Sequence, residues 1–191
     1  MDHESVGRYW DDNAEAWTKQ VRAGYDHYRD GLNTPAFLAM LPELDDFAGL
    51  DVGCSEGHNT RRLAERGARV IGIDISATFV RLAREAEEAH PLGIRYEVAS
   101  AVDLPFGDAS FDFVTAFMSL MDIPETERAF AEIFRVLRPD GFLQFSISHP
   151  CFETPHRETP HRETPHRKTL RDQRRARLRA RSGRLFSEVG R

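Results

Sequence analysis

Between residues 48 and 148 five apolar runs alternate with amphipathic stretches, and this alternation limits the chain to one kind of architecture. The runs are Ala48–Gly53, Arg69–Asp74, Ile94–Ala99, Phe111–Phe117 and Phe142–Ser148. Each is too short for a buried helix and lacks the polar alternation of a strand with one wet face, so each predicts a strand covered on both sides. Between them lie helical patterns. Asn59–Arg66 ends at Gly67, and Ser76 caps a helix to about Ala89 with Phe79, Val80, Leu82, Ala83 and Ala86 on its apolar face. Asp122-Ile123-Pro124-Glu125 predicts a capping box opening a third helix, whose face is Ala129, Phe130, Ile133, Phe134 and Leu137 and which Arg138-Pro139-Asp140-Gly141 ends. Strands alternating with helices predict an α/β fold, with a parallel sheet and right-handed crossovers that put helices on both faces.

Two flanking segments differ from this middle. Residues 1–45 read as a helical cap. Trp10, Ala14, Trp17 and Val21 recur on one helical face, and Thr34-Pro35 starts a short helix that ends at Leu41-Pro42. Residues 46–152 form the α/β domain. Residues 153–191 hold three tandem copies of Glu-Thr-Pro-His-Arg and then an Arg-rich stretch. A proline every five residues blocks helix and central strand alike, so this basic tail is expected to be disordered. The net charge of −5 hides the division: +7 lies in 153–191 and −12 in 1–152. A basic arm for nucleic acid or an acidic partner, a solvated extension, and an in-frame duplication followed by a frame shift all fit the tail. The abrupt, perfect repeat favours the third, which translation of the other reading frames tests. His156, His161 and His166 then read as by-products of the repeat rather than metal ligands.

At 40% hydrophobic and 30% charged residues the composition is that of a globular protein. Two cysteines, Cys54 and Cys151, exclude a disulfide scaffold or a four-cysteine zinc site and suit a reducing cytoplasm. No run is long and apolar enough for a membrane span, and the acidic start lacks a secretory signal.

Chemistry is expected at the carboxyl ends of the strands, near the point where strand order reverses. The loop Asp51-x-Gly53-x-Ser55-x-Gly57 follows the first strand and leads into a helix. Glycines there let the backbone turn sharply, and the helix start attracts anionic groups. Asp74 ends the second strand, where an acid accepts hydrogen bonds from both hydroxyls of a ribose. Loop and acid together point to a nucleoside-bearing cofactor. A dinucleotide fold would show Gly-x-Gly-x-x-Gly, whereas here positions 53, 55 and 57 are spaced by two behind an acid.

At these residues the chain resembles class I S-adenosylmethionine-dependent methyltransferases, in particular the small-molecule branch similar to ubiquinone/menaquinone-biosynthesis methyltransferases. Asp51-Val52-Gly53-Cys54-Ser55-Glu56-Gly57 matches that family's Asp/Glu-x-Gly-x-Gly-x-Gly, and Asp74-Ile75-Ser76 its ribose-binding acid. Ser100-Ala101 aligns with its adenine-contacting Asp-Ala pair. Asp103-Leu104-Pro105-Phe106, with Ala109-Ser110-Phe111-Asp112, and Val136-Leu137-Arg138-Pro139-Asp140-Gly141 match two later signatures, so the likeness covers about residues 45–150.

The resemblance implies a Rossmann-like, doubly wound, mostly parallel sheet in which the family's final hairpin strands are missing. It implies a cofactor set of Asp51, Gly53, Cys54, Ser55, Gly57, Asp74, Ile75, Ser100, Ala101 and Phe117, with S-adenosylmethionine as cofactor and no metal. Ala116 and Phe117, just past the fourth strand, would face the sulfonium, and Tyr25, Tyr28 or Arg29 would close over the site. The partner is a small-molecule methyl acceptor; no membrane is implied, and nucleic acid only non-specifically through the tail. His149 is the candidate base, and Cys151 an ordinary thiol. Ser55 stands where the family has glycine and Ser100 where it has Asp. An inactive cofactor-binding remnant and a nicotinamide-dependent oxidoreductase are the competing readings.

Overall fold

A computed structural model of the protein describes residues 2–148. Five parallel strands make one sheet: β1 Ala48–Val52, β2 Arg69–Asp74, β3 Arg95–Val98, β4 Phe111–Phe117 and β5 Leu137–Ser146, in the order β3-β2-β1-β4-β5. Strand order reverses between β1 and β4, where a doubly wound sheet opens a crevice. The parallel α/β sheet expected from the alternation and the Rossmann-like architecture implied by the resemblance are both present. The basic tail and the boundary at 152/153 lie outside the described residues.

Helices α1 His3–Arg22, α2 Thr34–Ala39, α3 His58–Ala64, α4 Ala77–Ala89 and α5 Thr126–Val136 surround the sheet. Alternate strand residues feed two cores. Leu50, Val52, Ile73, Val114 and Ala116 meet Ala129, Ile133 and Val136 of α5 on one face. Val70 and Phe113 meet Phe37 of α2 and Leu63 of α3 on the other. Val80 and Ala83 of α4 pack with Cys54, Ile94 and Tyr96. Burying each large side chain of this kind stabilises the fold by about 1.5–3 kcal/mol.

Several local expectations change. Asp122 belongs to a 3₁₀ turn, Leu120–Asp122, and α5 begins at Thr126 without a capping box, because the Glu125 carboxylate instead binds His3 Nδ1 at 2.9 Å. Thr34 does not cap α2. A one-turn π-helix, Arg29–Asn33, runs directly into that helix, and the Thr34 hydroxyl donates to Asn59 Oδ1 of the segment's neighbour α3. The buried line of α1 is Gly7, Ala14, Thr18 and Val21, with Trp10 and Trp17 flanking it edge to face at 6.0 Å. The stop at Arg138–Gly141 is an excursion inside β5 rather than a break before it. Phe111 pairs with Leu137 and Phe113 with Phe142, so Asp112 alone faces four residues. Asp140 takes φ +69° there, and the Arg138 guanidinium holds Asp112 at 2.6 Å.

Candidate functional site

The loop after β1 is shaped by its backbone. Gly53 has φ +71°, and a Cβ built on it would lie 2.4 Å from the Ser119 Cβ, so both conformation and space require glycine. The Gly53 and Cys54 amides both donate to the Ile73 carbonyl at 2.9 Å, which pins the loop to the end of β2. Ser55 follows at φ +53°, an unusual conformation for a residue with a side chain, and Gly57 at φ +87° leads into α3. Cys54 is buried, and burial together with the nearby carboxylates pushes its thiol pKa well up, which keeps it an unreactive thiol.

Two carboxylates stand beside this loop. Asp51 is 2% exposed and both its oxygens are taken: Thr60 donates to Oδ2 at 2.6 Å and its register partner Thr115 to Oδ1 at 2.8 Å. Burial raises its pKa. Asp74 is 8% exposed and accepts two backbone amides, Ser55 N on Oδ2 and Ser76 N on Oδ1, each at 2.9 Å. Burial, against those two hydrogen bonds, pushes its pKa up to about 6. A carboxylate offers about four acceptor positions, so Asp74 retains capacity for two hydroxyl donors beside the two amides. These free acceptor positions therefore fit the hydroxyls of a ribose.

The other expected residues follow β2 and β3, end β4 or lie on the cap. Ile75 is half-buried and packs on α1, where a Cβ on Gly7 would come within 2.9 Å of its side chain. Ser100 and Ala101 follow β3 beside Asp74, whose carbonyl accepts from Ala99 N; Ser100 closes a turn with Asp103, and Ala101 is buried in the core. Ala116 and Phe117 are the last residues of β4 rather than past it. Ala116 is fully buried, and the Phe117 ring meets Phe37 edge to face at 5.2 Å. Tyr25 and Tyr28 are exposed on the cap. His149 and Cys151 lie outside the described residues.

Sequence reasoning missed three side chains here. Glu56, inside the loop, is 6% exposed and pairs with Arg29 Nη1 at 3.0 Å, so Arg29 joins the cap to the loop. Its charge within an otherwise small-residue motif was the available signal. Ser119 roofs Gly53 and donates to the Val52 carbonyl at 2.7 Å. Thr18 Oγ1, on the buried line of α1, is the one fully buried side-chain oxygen or nitrogen without a hydrogen-bond partner among the described residues.

Among the described residues, no cluster of His, Cys, Asp or Glu is grouped to hold a metal, and no helix is long and apolar enough to cross a membrane. Residues 50–145 match the methyltransferase-domain family. The chain is 36% identical over 153 residues to the O-methyltransferase cnsE of Penicillium expansum, covering 77% of this chain and 53% of that protein. It is 38% identical over 96 residues to the demethylmenaquinone methyltransferase of Thermus thermophilus, covering 49% and 44%. Among solved structures, an S-adenosylmethionine-dependent methyltransferase from Mesorhizobium loti superposes with a TM-score of 0.58 at 34% identity, covering 63% of this chain and 56% of that one. The chain thus spans about half the length of the curated relatives it matches.

Proposed function

Because the chain belongs to the methyltransferase-domain family, we propose that it binds S-adenosylmethionine at the carboxyl ends of β1 and β2 and methylates a small-molecule acceptor in the cytoplasm. The observation that carries this is Asp74, a buried carboxylate at the end of β2 held by two backbone amides, one from the loop and one from the turn into α4, with acceptor capacity to spare. The relatives named as O-methyltransferase and demethylmenaquinone methyltransferase support small acceptors.

When bound, S-adenosylmethionine would supply an electrophilic methyl group for transfer to an acceptor atom in line with the breaking carbon–sulfur bond, with S-adenosylhomocysteine as the leaving group. The chain's own work is to bind, orient and exclude water. Asp74 takes the ribose hydroxyls. Gly53, Cys54, Ser55 and Gly57 present backbone to the cofactor's amino-acid end. Ile75, Ser100 and Ala101 would line the adenine side, and Phe117, at the end of β4, would stand toward the reacting end. Asp51 acts at one remove, since its oxygens bind Thr60 and Thr115 and so tie α3 and β4 to β1. A general base is required only where the acceptor must lose a proton early. The helical cap of residues 2–45 closes the crevice, with Arg29 seated on Glu56.

Calorimetric titration of the 191-residue chain with S-adenosylhomocysteine and, separately, with NAD tests the reading. Binding of the former alone is the expected result. Binding of NAD alone would replace it with an oxidoreductase, and binding of neither would leave a remnant without cofactor.

A further inference from the structure

Helix α1 carries a carboxylate that none of the cofactor motifs predicts. The Asp11 Oδ1 atom accepts two hydrogen bonds from the turn after β2: from the Ser76 hydroxyl at 2.6 Å and from the Thr78 amide at 2.8 Å. Ser76 is itself the N-cap of α4, since its hydroxyl accepts from the Phe79 amide at 3.1 Å, and its own amide donates to Asp74 Oδ1. One serine therefore joins two carboxylates 63 positions apart, Asp11 through its hydroxyl and Asp74 through its amide. Further contacts fix α1 in this place. Gly7 seats on Ile75, Trp10 packs on Phe79 with ring centroids 6.3 Å apart, Arg81 pairs with Glu15, and Arg22 donates to the Leu82 carbonyl. At its other end His3 reaches Glu125, beyond β4. The first turns of α1 thus reach from the turn after β2 to the segment after β4, the two strands that flank β1.

We propose that Asp11 is a positioning residue of the cofactor site: it holds the Ile75–Ser76 turn so that Asp74 meets the ribose, and its negative charge tunes the protonation of Asp74. This rests on the cofactor site proposed above.

The geometry separates Asp11 from an ordinary surface cap. An N-cap is normally supplied by a residue next to the helix, and Ser76 already fills that place. Asp11 adds a second acceptor from a distant helix, for the Thr78 amide and for the hydroxyl of the cap itself. Hydrogen bonding from Ser76 and Thr78 keeps the Asp11 carboxyl below its usual range, so it is charged whenever Asp74 titrates. The charged or titratable groups facing Asp74 are Asp51 on β1, Cys54 in the loop and Asp11 on α1. Asp51 and Asp11 both oppose its ionisation.

Asp11→Asn and Asp11→Ala separate the two roles. Asparagine keeps an acceptor oxygen for Ser76 and Thr78 but carries no charge; alanine removes both. The probe is S-adenosylhomocysteine, titrated by calorimetry from pH 5 to pH 8 against wild type and both variants. For Asp11→Ala, affinity at pH 7.5 is expected to fall about tenfold, the scale of a lost charged hydrogen-bond acceptor. For Asp11→Asn, affinity at pH 7.5 is expected within about threefold of wild type, while the acidic limb of the binding profile moves down by about half a pH unit. A merely structural contact would not move that limb. If Asp11→Ala does not fold, the shifted limb of Asp11→Asn still decides the matter. Wild-type affinity and an unmoved limb in Asp11→Asn, with Asp11→Ala binding as wild type, would overturn the proposal while leaving the cofactor site standing. Failure of the wild-type chain to bind S-adenosylhomocysteine at all would instead remove the cofactor site, and this proposal with it.

Discussion

Asp51 pairs in register with Gly72, so Asp74 stands two residues nearer the carboxyl edge of the same sheet than its neighbour on β1. Both carboxylates are buried, and burial raises both pKa values. Their partners differ in kind. Asp51 is met by two side-chain hydroxyls, one from α3 and one from β4, and its acceptors face inward. Asp74 is met by two backbone amides from the loop and from the turn into α4. Side-chain hydroxyls tie elements together; backbone amides orient a carboxylate and leave its remaining lone pairs for a ligand. Two residues of offset along one sheet thus separate a brace from the proposed binding group.

The largest effect is expected from breaking the brace. Asp51→Leu strands the Thr60 and Thr115 hydroxyls in the interior and is expected to destabilise the fold by about 3–4 kcal/mol. Asp51→Asn, which can accept from one threonine and donate to the other, is expected to cost less than about 1 kcal/mol. Urea denaturation of the two variants decides it. Equal losses would mean that the charge, not the hydrogen-bond pattern, holds α3 and β4 to β1.

Asp74 is expected to behave in the reverse way. Asp74→Ala should leave the chain folded but weaken S-adenosylhomocysteine binding at least about 100-fold, or about 2.7 kcal/mol, measured by calorimetry. Unchanged affinity would remove Asp74 from the site and collapse the contrast with Asp51.

The same carboxylate gives a pH dependence with a definite sign. Its folded pKa of about 6 lies above the ordinary value of 3.8, so its burial costs the native state stability above pH 6, of order 2–3 kcal/mol, and nothing below pH 3.8. Ligand binding runs the other way, because the ionised form accepts the ribose hydroxyls. Affinity for S-adenosylhomocysteine is therefore expected to fall by up to about tenfold per pH unit below pH 6, with proton release on binding near that pH. Calorimetry in buffers of different ionisation enthalpy measures the released proton. In Asp74→Asn the pH dependence is expected to vanish.

The strand–loop–helix–strand–acid order was legible in the chain because it is local: apolar runs of strand length, glycines at a turn, Ser76 as a cap. What was not legible rests on partners far apart in sequence. Thr34 looked like a cap, but its hydroxyl serves Asn59; Glu125 looked like half of a capping box, but its carboxylate serves His3. Asp11 carries no local signal, since its partners lie 65 and 67 residues on. The Trp stripe of α1 was right in period yet offset in face: Gly7 lies against Ile75 on the buried line, and the tryptophans flank that line. The backbone shape of the loop was thus readable from its own motif, whereas the bonds that lock α1 and Arg29 onto the segments around it were not.

The smallest effects are expected where the chain departs from glycine at positive φ. Ser55, at φ +53°, lies in the loop whose amide holds Asp74; Asp140, at φ +69°, lies in the β5 excursion far from that carboxylate in the chain. Serine in this conformation costs about 1 kcal/mol relative to glycine, and Asp less because its short polar side chain tolerates it. Ser55→Gly is therefore expected to raise stability by up to about 1 kcal/mol and Asp140→Gly by about 0.5 kcal/mol, both measured by thermal and urea unfolding. Only Ser55→Gly should also tighten S-adenosylhomocysteine binding, since it alone removes a side chain from the loop that meets the cofactor. An equal gain in affinity from Asp140→Gly would show that relief of backbone strain anywhere in the sheet, rather than space beside Asp74, sets the affinity of the site.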